Sequence, residues 1–540
     1  MGKILKNSWA LFFGFSILIT AHGFQGNLLG VRAVLENFNY VETGSLMSGY
    51  FIGYFFGAHY APQIISRVGH IRVFAAFASV ASLSSLLHVV FVEPLLWILI
   101  RFFHGFSVIT ILIIVESWLN DRANNRNRGK VLSLYMFITF FGFALGNMLL
   151  NFSSPLKYEP FILISLLFSI ALIPILLTKR KPPKFKKIGS MTIKELFKTS
   201  PFGSVAMFCT GFTMSAIFTM TAVYATVMNL SILDTSILLV LITLAGAFFQ
   251  WPIGSISDNF DRRKVIILCA LWGIIFAIFA VFSSGLKLNN LFLESAVRFN
   301  YFTTSFDKIK LFTFFTLLAG MVLPLFSLIL ALVNDRITKE KFVSAGAGLN
   351  VIFGLGAMTG PLVCSLLMQN FGPNGFFVHL ILFLFPVVIY GLYRLSQRGL
   401  DDNPDSTFTP LPRDITPLGI ELDPSTGVNL SNTDILDNYD LSTKFHTIKP
   451  ECLKYIKELS KKKLRPWGKW EWFDKGKSIT YTQNTFMAFA PSDISYHSVK
   501  LENYPQEKYQ RTMLRGFIAD SRLLKKKSKD YWTSGNLVNI

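Results

Sequence analysis

Four polar side chains interrupt the first long apolar stretch of the sequence. His22, Gln25, Asn27 and Arg32 recur at short intervals along one predicted helix. Polar groups are costly inside a membrane, so they predict a surface that faces a central cavity and contacts a solute. Arg32 falls where the helix meets the membrane surface, and it is explained equally well as an interfacial anchor.

Further polar residues lie in two later apolar stretches. Arg101 keeps its charge under all conditions, so within a bilayer it must face a partner, water or an anionic solute group. His104 follows one turn later, either as a titratable group or as a hydrogen-bonded packing residue. Asn350 supplies an amide in the second half of the chain. The predicted spans of that half contain fewer polar residues, which favours a neutral or zwitterionic solute over a polyanion.

A short charged segment separates two apolar runs further along the chain. It reads Gly254-x-x-x-Asp258-x-x-x-Arg262-Arg263, in which Asp258 can pair with either arginine. A degenerate copy contains Arg67 and Arg72, with Ser66 in the place of the acid. Two such turns predict two related halves that move against each other, with the second turn as a latch.

A third charged segment follows the apolar run that contains Arg101. It holds Glu116, Arg126 and Arg128 near the membrane surface, and Asp335 occupies a comparable place in the second half. A solvated helix end accounts for this composition. If protons drive transport, Glu116 or Asp335 is the carboxyl that carries them.

Apolar runs of membrane-spanning length must position these residues. The chain has 540 residues, of which 51% are hydrophobic and 16% charged, a balance typical of a polytopic membrane protein. Runs of about 20 residues can cross the hydrocarbon. The predicted spans are 8–31, 44–66, 72–92, 95–118, 131–151, 159–178, 201–228, 235–257, 263–284, 311–333, 342–369 and 372–394.

The distribution of Lys and Arg predicts the orientation of these spans. Alternate loops are rich in basic residues, which places them and both termini in the cytoplasm. The net charge of +20 follows from this bias and from contact with anionic lipids, so it does not indicate nucleic acid binding. The loops on the other side contain fewer basic residues, namely Arg32, Lys157, Lys287, Arg298, Lys308 and Lys310.

The turn Gly254–Arg263 resembles the signature between the second and third helices of each half in the major facilitator superfamily. Val115-Glu-Ser-Trp-Leu-Asn-Asp-Arg-Ala, Asn127-Arg-Gly129 and Leu367-Met-Gln-Asn-Phe371 resemble its YcaD-like branch. The resemblance covers roughly residues 1–395. It implies an all-α membrane protein of twelve transmembrane helices in two pseudo-symmetric six-helix bundles, with transport by alternating access. It also implies a cytoplasmic charge relay of Glu116 with Arg126 and Arg128, for which a solvated helix end is the alternative.

The chain beyond the apolar runs predicts a separate cytoplasmic unit. Short aromatic and β-branched runs broken by turn residues indicate a small β-rich domain after an acidic linker. The predicted parts are a first bundle at 1–178, a basic linker at 179–200, a second bundle at 201–395, the acidic linker at 396–440 and the accessory domain at 441–540. We expect residues 1–395 to fold and transport without the rest.

One stretch of this tail resembles the last strands of 2-oxoglutarate/iron(II) oxygenases. In Phe486–Val499 that resemblance makes His497 a candidate metal ligand, with Arg511 or Arg515 as the cosubstrate residue. The family also needs a His-x-Asp or His-x-Glu pair, and His446-Thr-Ile448 lacks the acid. We therefore expect a regulatory or degenerate domain, with no cofactor.

Three function classes remain open. The first is a monomeric secondary transporter of a small solute in the inner or plasma membrane, with proton coupling undecided. No phosphate-binding loop for ATP is present. The second is a membrane-tethered enzyme whose activity lies in the tail. The third is a sensor or scaffold that no longer transports.

Overall fold

The computed structural model describes residues 2–123, 127–176, 189–283, 305–338, 341–397, 408–412 and 414–424, and five strand segments after residue 440. The chain divides into two compact units, Met1–Val428 and Asn429–Ile540. The first unit is helical. Its helices are α1 Gly2–Leu35, α2 Tyr40–Val68, α3 His70–Val90, α4 Pro94–Arg122, α5 Arg128–Met148, α6 Glu159–Leu176, α7 Ile193–Thr199, α8 Pro201–Val227, α9 Ile232–Asn259, α10 Arg262–Ser283, α11 Ser305–Val322, α12 Leu325–Asn334, α13 Phe342–Phe371, α14 Gly375–Gln397 and α15 Pro417–Ile420.

Many of these helices are long and apolar enough to cross a membrane. Within the described ranges there are nine candidate spans, of which Asp307–Asn334 covers most of α11 and all of α12, and Phe342–Gln397 contains α13 and α14. Their outward surfaces carry exposed apolar side chains such as Leu95, Phe248 and Trp251, as expected of surfaces that face lipid. The count of twelve spans stays a prediction.

The predicted span 311–333 is broken in the structure. Helix α11 ends at Val322 and α12 begins at Leu325, on either side of a turn that contains Pro324. Proline has no backbone N–H and its ring clashes with the preceding helical turn, which accounts for the break. Hydropathy alone does not register this interruption, because Leu323 and Pro324 are themselves apolar.

The helices of the first unit pack as two groups. Helix α2 packs against α4, and α1 packs against α5 and α6. In the second group, α8 packs against α13, and α10 packs against α11 and α14. The groups meet mainly where α2 packs against α13, α5 against α9 and α1 against α8. We call α1–α6 the first half and α8–α14 the second half.

The halves bond directly to each other at one end. We call the end with the α2–α3 and α9–α10 turns the basic end, and the other the opposite end. Asn151 donates to Ser236 at 2.8 Å at the opposite end, and the Leu362 amide donates to Ser48 at 3.2 Å. The halves are therefore closed against each other at the opposite end.

At the basic end a different part of the chain lies between the halves. Residues 408–412 and 414–424, which we call the inserted segment, pack against both, and α15 within it contacts α4 and α13. The sequence places these residues in an acidic linker, but the first compact unit extends to Val428. The difference arises because several apolar side chains of the segment are buried among the helices.

The described part of the second unit consists of strands. Strands β1 Leu441–Ile448, β3 Phe473–Thr480 and β4 Ser495–Leu501 form an antiparallel sheet in the order β3-β1-β4. Strands β2 Arg465–Pro466 and β5 Leu537–Val538 pair in parallel. The β3–β1 pairing shifts register between Lys444 and His446, which marks a bulge.

Candidate functional site

A cavity of about 30 Å³ lies between the two halves. Helices α1, α2, α4 and α5 of the first half line it, together with α8 and α9 of the second. In this closed arrangement it has room for at most about two water molecules. Its polar lining residues are His22, Asn27, Tyr50, Arg101, Asn147, Thr219 and Thr243.

A chain of amide hydrogen bonds crosses the cavity from one half to the other. The Asn27 amide donates to Asn147 Oδ1 at 2.7 Å, and the Asn147 amide donates to Thr243 Oγ1 at 3.3 Å. All three side chains are buried. Any separation of the halves at this level breaks the bond to Thr243 and frees polar groups that can then bind a solute.

Arg101 places a buried positive charge at the cavity wall. Its side chain is 1% exposed, and its guanidinium carbon lies 4.8 Å from the centre of the Tyr50 ring. Within the described ranges, no hydrogen bond reaches Nε or Nη1, and Arg101 forms no ion pair. The Tyr50 hydroxyl lies 3.2 Å from His22 Nε2. The Tyr50 ring thus contacts the Arg101 guanidinium, and its hydroxyl contacts the His22 imidazole.

Not every predicted solute-binding residue reaches the cavity. Arg32 instead pairs with Glu36 at 3.0 Å and donates to the Pro155 carbonyl at 3.3 Å, the contacts of an anchor at the opposite end. Gln25 is buried away from the cavity, and in the described ranges its amide atoms have no hydrogen-bond partner. The structure therefore joins only three of the predicted residues, His22, Asn27 and Arg101, in one cavity.

The two remaining candidates lie elsewhere. His104 is buried behind the cavity wall, where Nδ1 lies 3.0 Å from Ser84 Oγ and the ring stacks on His22 at 5.7 Å. Asn350 donates to the Ile415 carbonyl of the inserted segment at 2.9 Å. His104 thus has the contacts of a packing residue, and Asn350 contacts the chain's own tail.

The charged turn of the second half forms a compact ionic cluster. Arg262 donates to Asp258 Oδ1 at 3.0 Å and to Asp335 Oδ2 at 2.7 Å. Arg263 pairs instead with Asp261 at 2.7 Å. All these partners belong to the second half, so the cluster ties α9, α10 and the end of α12 together. A latch between the halves at this turn stays a prediction.

The charged residues at the matching turns of the first half do not form a comparable ionic cluster in the described ranges. Arg67 and Arg72 are exposed at the basic end. Arg128 is buried, and its Nε has no hydrogen-bond partner in the described ranges, whereas Arg126 lies outside them. The charge relay predicted for this region therefore has no described ion pair.

Glu116 has neutral partners where the sequence predicts arginines. It is buried, accepts a 2.7 Å hydrogen bond from the Tyr135 hydroxyl and accepts the Thr416 amide at 3.1 Å. The Thr416 hydroxyl also donates to it. The structure thus places the inserted segment directly on the buried carboxyl of the first half.

A second cavity, of about 20 Å³, lies between the central cavity and the inserted segment. Phe143, Phe218 and Thr243 line both cavities, and Pro412 and Asp414 of the segment close the second one. A path from the central cavity towards the basic end would pass these phenylalanines and reach the segment.

Several cavity residues were missed by sequence reasoning. Asn147 is a lone amide in an apolar run, so the argument that singled out Asn27 applies to it as well. Tyr50, Phe143, Phe218 and Thr243 carry no such signal, because aromatic and Thr residues are common throughout the spans. Their role depends on which side of each helix faces the other half.

The candidate metal ligand of the tail, His497, is described only by its backbone. Among the described residues, no group of three or more His, Cys, Asp or Glu side chains has an arrangement suited to a metal ion. The backbone of His497 lies in β4, opposite Phe445 of β1. The resemblance to oxygenases is likewise unsupported by comparison with known proteins.

Comparison with known proteins identifies the class of this chain. The Major Facilitator Superfamily profile matches residues 11–297 and 237–473, so the chain belongs to that family. The predictions of a superfamily transporter and an integral membrane protein are confirmed. This membership indicates transport of a small molecule and not catalysis.

Individual relatives agree with this assignment. The chain is 24% identical over 396 residues to the uncharacterized MFS-type transporter YcaD of Escherichia coli strain 536, covering 72% of this chain and 96% of that protein. The nucleoside transporter NupG has a similar fold, with a TM-score of 0.58 and 13% identity over 72% of this chain and 98% of NupG. A bacterial homologue of the human lysosomal transporter Spinster has a TM-score of 0.55 and 13% identity over 74% of this chain and 99% of its own.

Proposed function

We propose that this protein is a secondary transporter that moves a small solute across the inner or plasma membrane by alternating access. The observation that carries the proposal is the polar cavity between the halves, to which both contribute side chains. A site shared by two halves can open to either side when they rock. The proposal includes twelve spans and cytoplasmic termini, in line with the excess of basic residues at one end.

The contacts of the opposite end support this mechanism. The hydrogen bonds Asn151–Ser236 and Ser48–Leu362 close that end, whereas the inserted segment separates the halves at the basic end. This is the geometry of a transporter whose site is closed to one side. Exposure of the site to the other side then requires these bonds to break and the halves to approach at the basic end.

A ligand screen tests the proposal. We expect a subset of a metabolite and drug library to raise the melting temperature of the purified protein, since a ligand at 100 times its Kd stabilises by about 2.7 kcal/mol. The Asn147→Leu variant should lose this shift, because it removes the amide that spans the cavity. Asn370→Leu, the same change at an exposed position, should keep it. Equal shifts in both variants would place the ligands outside the cavity.

A further inference from the structure

Among the described residues, Arg101 is the one Lys, Arg, Asp or Glu side chain that lines the central cavity. The Arg101 side chain lies at the cavity wall and is 1% exposed. It has no acidic partner in the described ranges. A buried cation of this kind requires a compensating negative charge, because the low-dielectric interior solvates it poorly. The Tyr50 ring face offsets only part of this cost.

The rest of the lining fits an organic anion. The Asn27 and Asn147 amides and the Thr243 hydroxyl provide neutral hydrogen-bonding groups. Phe143, Phe218 and neighbouring apolar residues line the remaining wall and match a hydrocarbon or aromatic body. No carboxylate lines the cavity in the described ranges, so a cationic group on the solute would find no partner.

We propose that the solute is a small organic monoanion whose negative group pairs with Arg101. This proposal rests on the proposed transport function and names its substrate class. The closed cavity has room for water only, so the solute enters when the halves are apart and displaces the bond between Asn147 and Thr243. One cation matches one negative group, which excludes polyanions.

The test uses organic monocarboxylates and their uncharged amides as matched probes in thermal stabilisation assays. We expect some carboxylates to stabilise the full-length protein and their amides to be at least tenfold weaker. Arg101→Gln should abolish the preference for the carboxylate, and Arg101→Lys should restore part of it. Arg67→Gln, at an exposed arginine, is the control that should leave binding unchanged.

The outcomes separate this proposal from the transport proposal. If neutral or cationic compounds stabilise the protein, and only Asn147→Leu abolishes their effect, the transporter assignment stands and the anion assignment is wrong. Equal stabilisation by carboxylates and amides also overturns the anion assignment. If nothing in either set stabilises the protein, both assignments fail.

A second inference comes from the inserted segment, independently of the cavity. The segment bonds to both halves through its backbone. In the first half, the Tyr54 hydroxyl donates to the Asp414 carbonyl at 2.9 Å and Glu116 accepts the Thr416 amide. In the second half, Ser327 Oγ accepts the Leu411 amide at 3.0 Å, and Asp258 accepts the Phe408 amide at 2.7 Å.

The side chains of the segment fill the space between the halves. Its apolar side chains are almost wholly buried, namely Leu411, Ile415, Leu418, Ile420 and Leu422. The Phe408 ring lies against Gly254, where a Cβ would come within 2.1 Å of it. Ile420 meets Gly346 in the same way, with a Cβ at 2.5 Å. The fit to glycines on two helices indicates a specific site.

We infer that the inserted segment is an intramolecular inhibitor. It separates the halves at the basic end and blocks the route from the central cavity, so the transport cycle requires it to withdraw. Withdrawal removes the Thr416 donors from Glu116 and leaves the Tyr135 hydroxyl as its described donor. The tail that follows the segment is then a regulatory region, because a molecule that binds the tail can favour or oppose withdrawal of the segment and so regulate transport.

Cysteine labelling tests this inference on the full-length protein. Thr139 is 4% exposed and lines the second cavity beside Pro412 and Asp414. In a Cys452→Ser background we would measure the rate at which a polar maleimide labels Thr139→Cys in detergent. Replacing residues 408–424 by a Gly/Ser segment of equal length should raise that rate at least tenfold.

A point variant keeps the test valid if the replacement destabilises the protein. Ile420→Asp puts a charge at a fully buried position and should also accelerate labelling at least tenfold. Pro424→Asp adds the same charge at the exposed end of the segment and should leave the rate unchanged. Rates within twofold of the unmodified segment in both Ile420→Asp and the replacement would overturn the inference.

Discussion

The Gly53→Ala variant should lose about 3 kcal/mol of stability, because α2 and α4 approach each other too closely there for a side chain. A Cβ at Gly53 would lie 1.9 Å from the Phe102 carbonyl oxygen, and one at Gly105 would lie 2.0 Å from the Tyr50 carbonyl oxygen. The obstructing atoms are backbone, so relief requires a helix to move. The same contact holds Tyr50 against Arg101.

The measurement is the melting temperature and the monodispersity of the purified variant in detergent. Gly26→Ala is the matched control, since this glycine is also helical but has nothing within 4 Å of an added Cβ. We expect that control to melt at or slightly above the wild-type temperature, because Ala favours a helix by up to about 1 kcal/mol. Equal melting temperatures for the two variants would contradict the close contact between α2 and α4.

The Arg262→Gln variant should have an effect of similar size, a loss of about 3 kcal/mol. The Arg262 side chain is 1% exposed and lies between two carboxylates, Asp258 and Asp335. Removing it leaves both acids with a neutral partner, and breaking a buried pair in this way commonly costs about 3–5 kcal/mol. We take the lower value because Asp258 is 33% exposed and partly screened by solvent.

A double-mutant cycle isolates the ion pair. Asp335→Asn in the Arg262→Gln background should recover part of the loss, because it removes one of the two uncompensated acids. Arg67→Gln at the matching turn of the first half should change stability by less than about 0.5 kcal/mol, since Arg67 is exposed. If Arg262→Gln melts like Arg67→Gln, the ionic cluster does not stabilise the second half.

The sequence predicted those residues of the site that are recognisable from their own helix alone, without knowledge of how the helices pack. His22, Asn27 and Arg101 were identified because polar groups in apolar runs are costly, and they do line one cavity. The i, i+4 spacing predicted a pair between Asp258 and Arg262, which the structure contains. Asp335 as a shared third member depends on how α12 packs, which no local pattern encodes.

The burial of the inserted segment is a part of the fold that the sequence analysis did not predict. Its composition is that of a polar, proline-containing linker, and hydropathy averaged over a span misses it. Its burial depends on a groove built by helices from both halves, and therefore on tertiary structure. A signal was nevertheless present: the closely spaced apolar residues Leu411, Ile415, Leu418, Ile420 and Leu422 are unusual for a solvated linker. Asn350 donates to the Ile415 carbonyl of this segment, a contact that no pattern along α13 indicates.

The direct test of alternating access is a pair of distances between the halves, measured by double electron–electron resonance in proteoliposomes. One pair of spin labels at exposed positions 66 and 260 reports on the basic end, and a second at 156 and 233 reports on the opposite end. The protein would carry the Gly/Ser replacement of the inserted segment, with and without the compounds that stabilise it. We expect the basic-end distance to shorten as the opposite-end distance lengthens. If neither distance changes, or if both change in the same direction, the halves do not rock about the cavity and the account is contradicted.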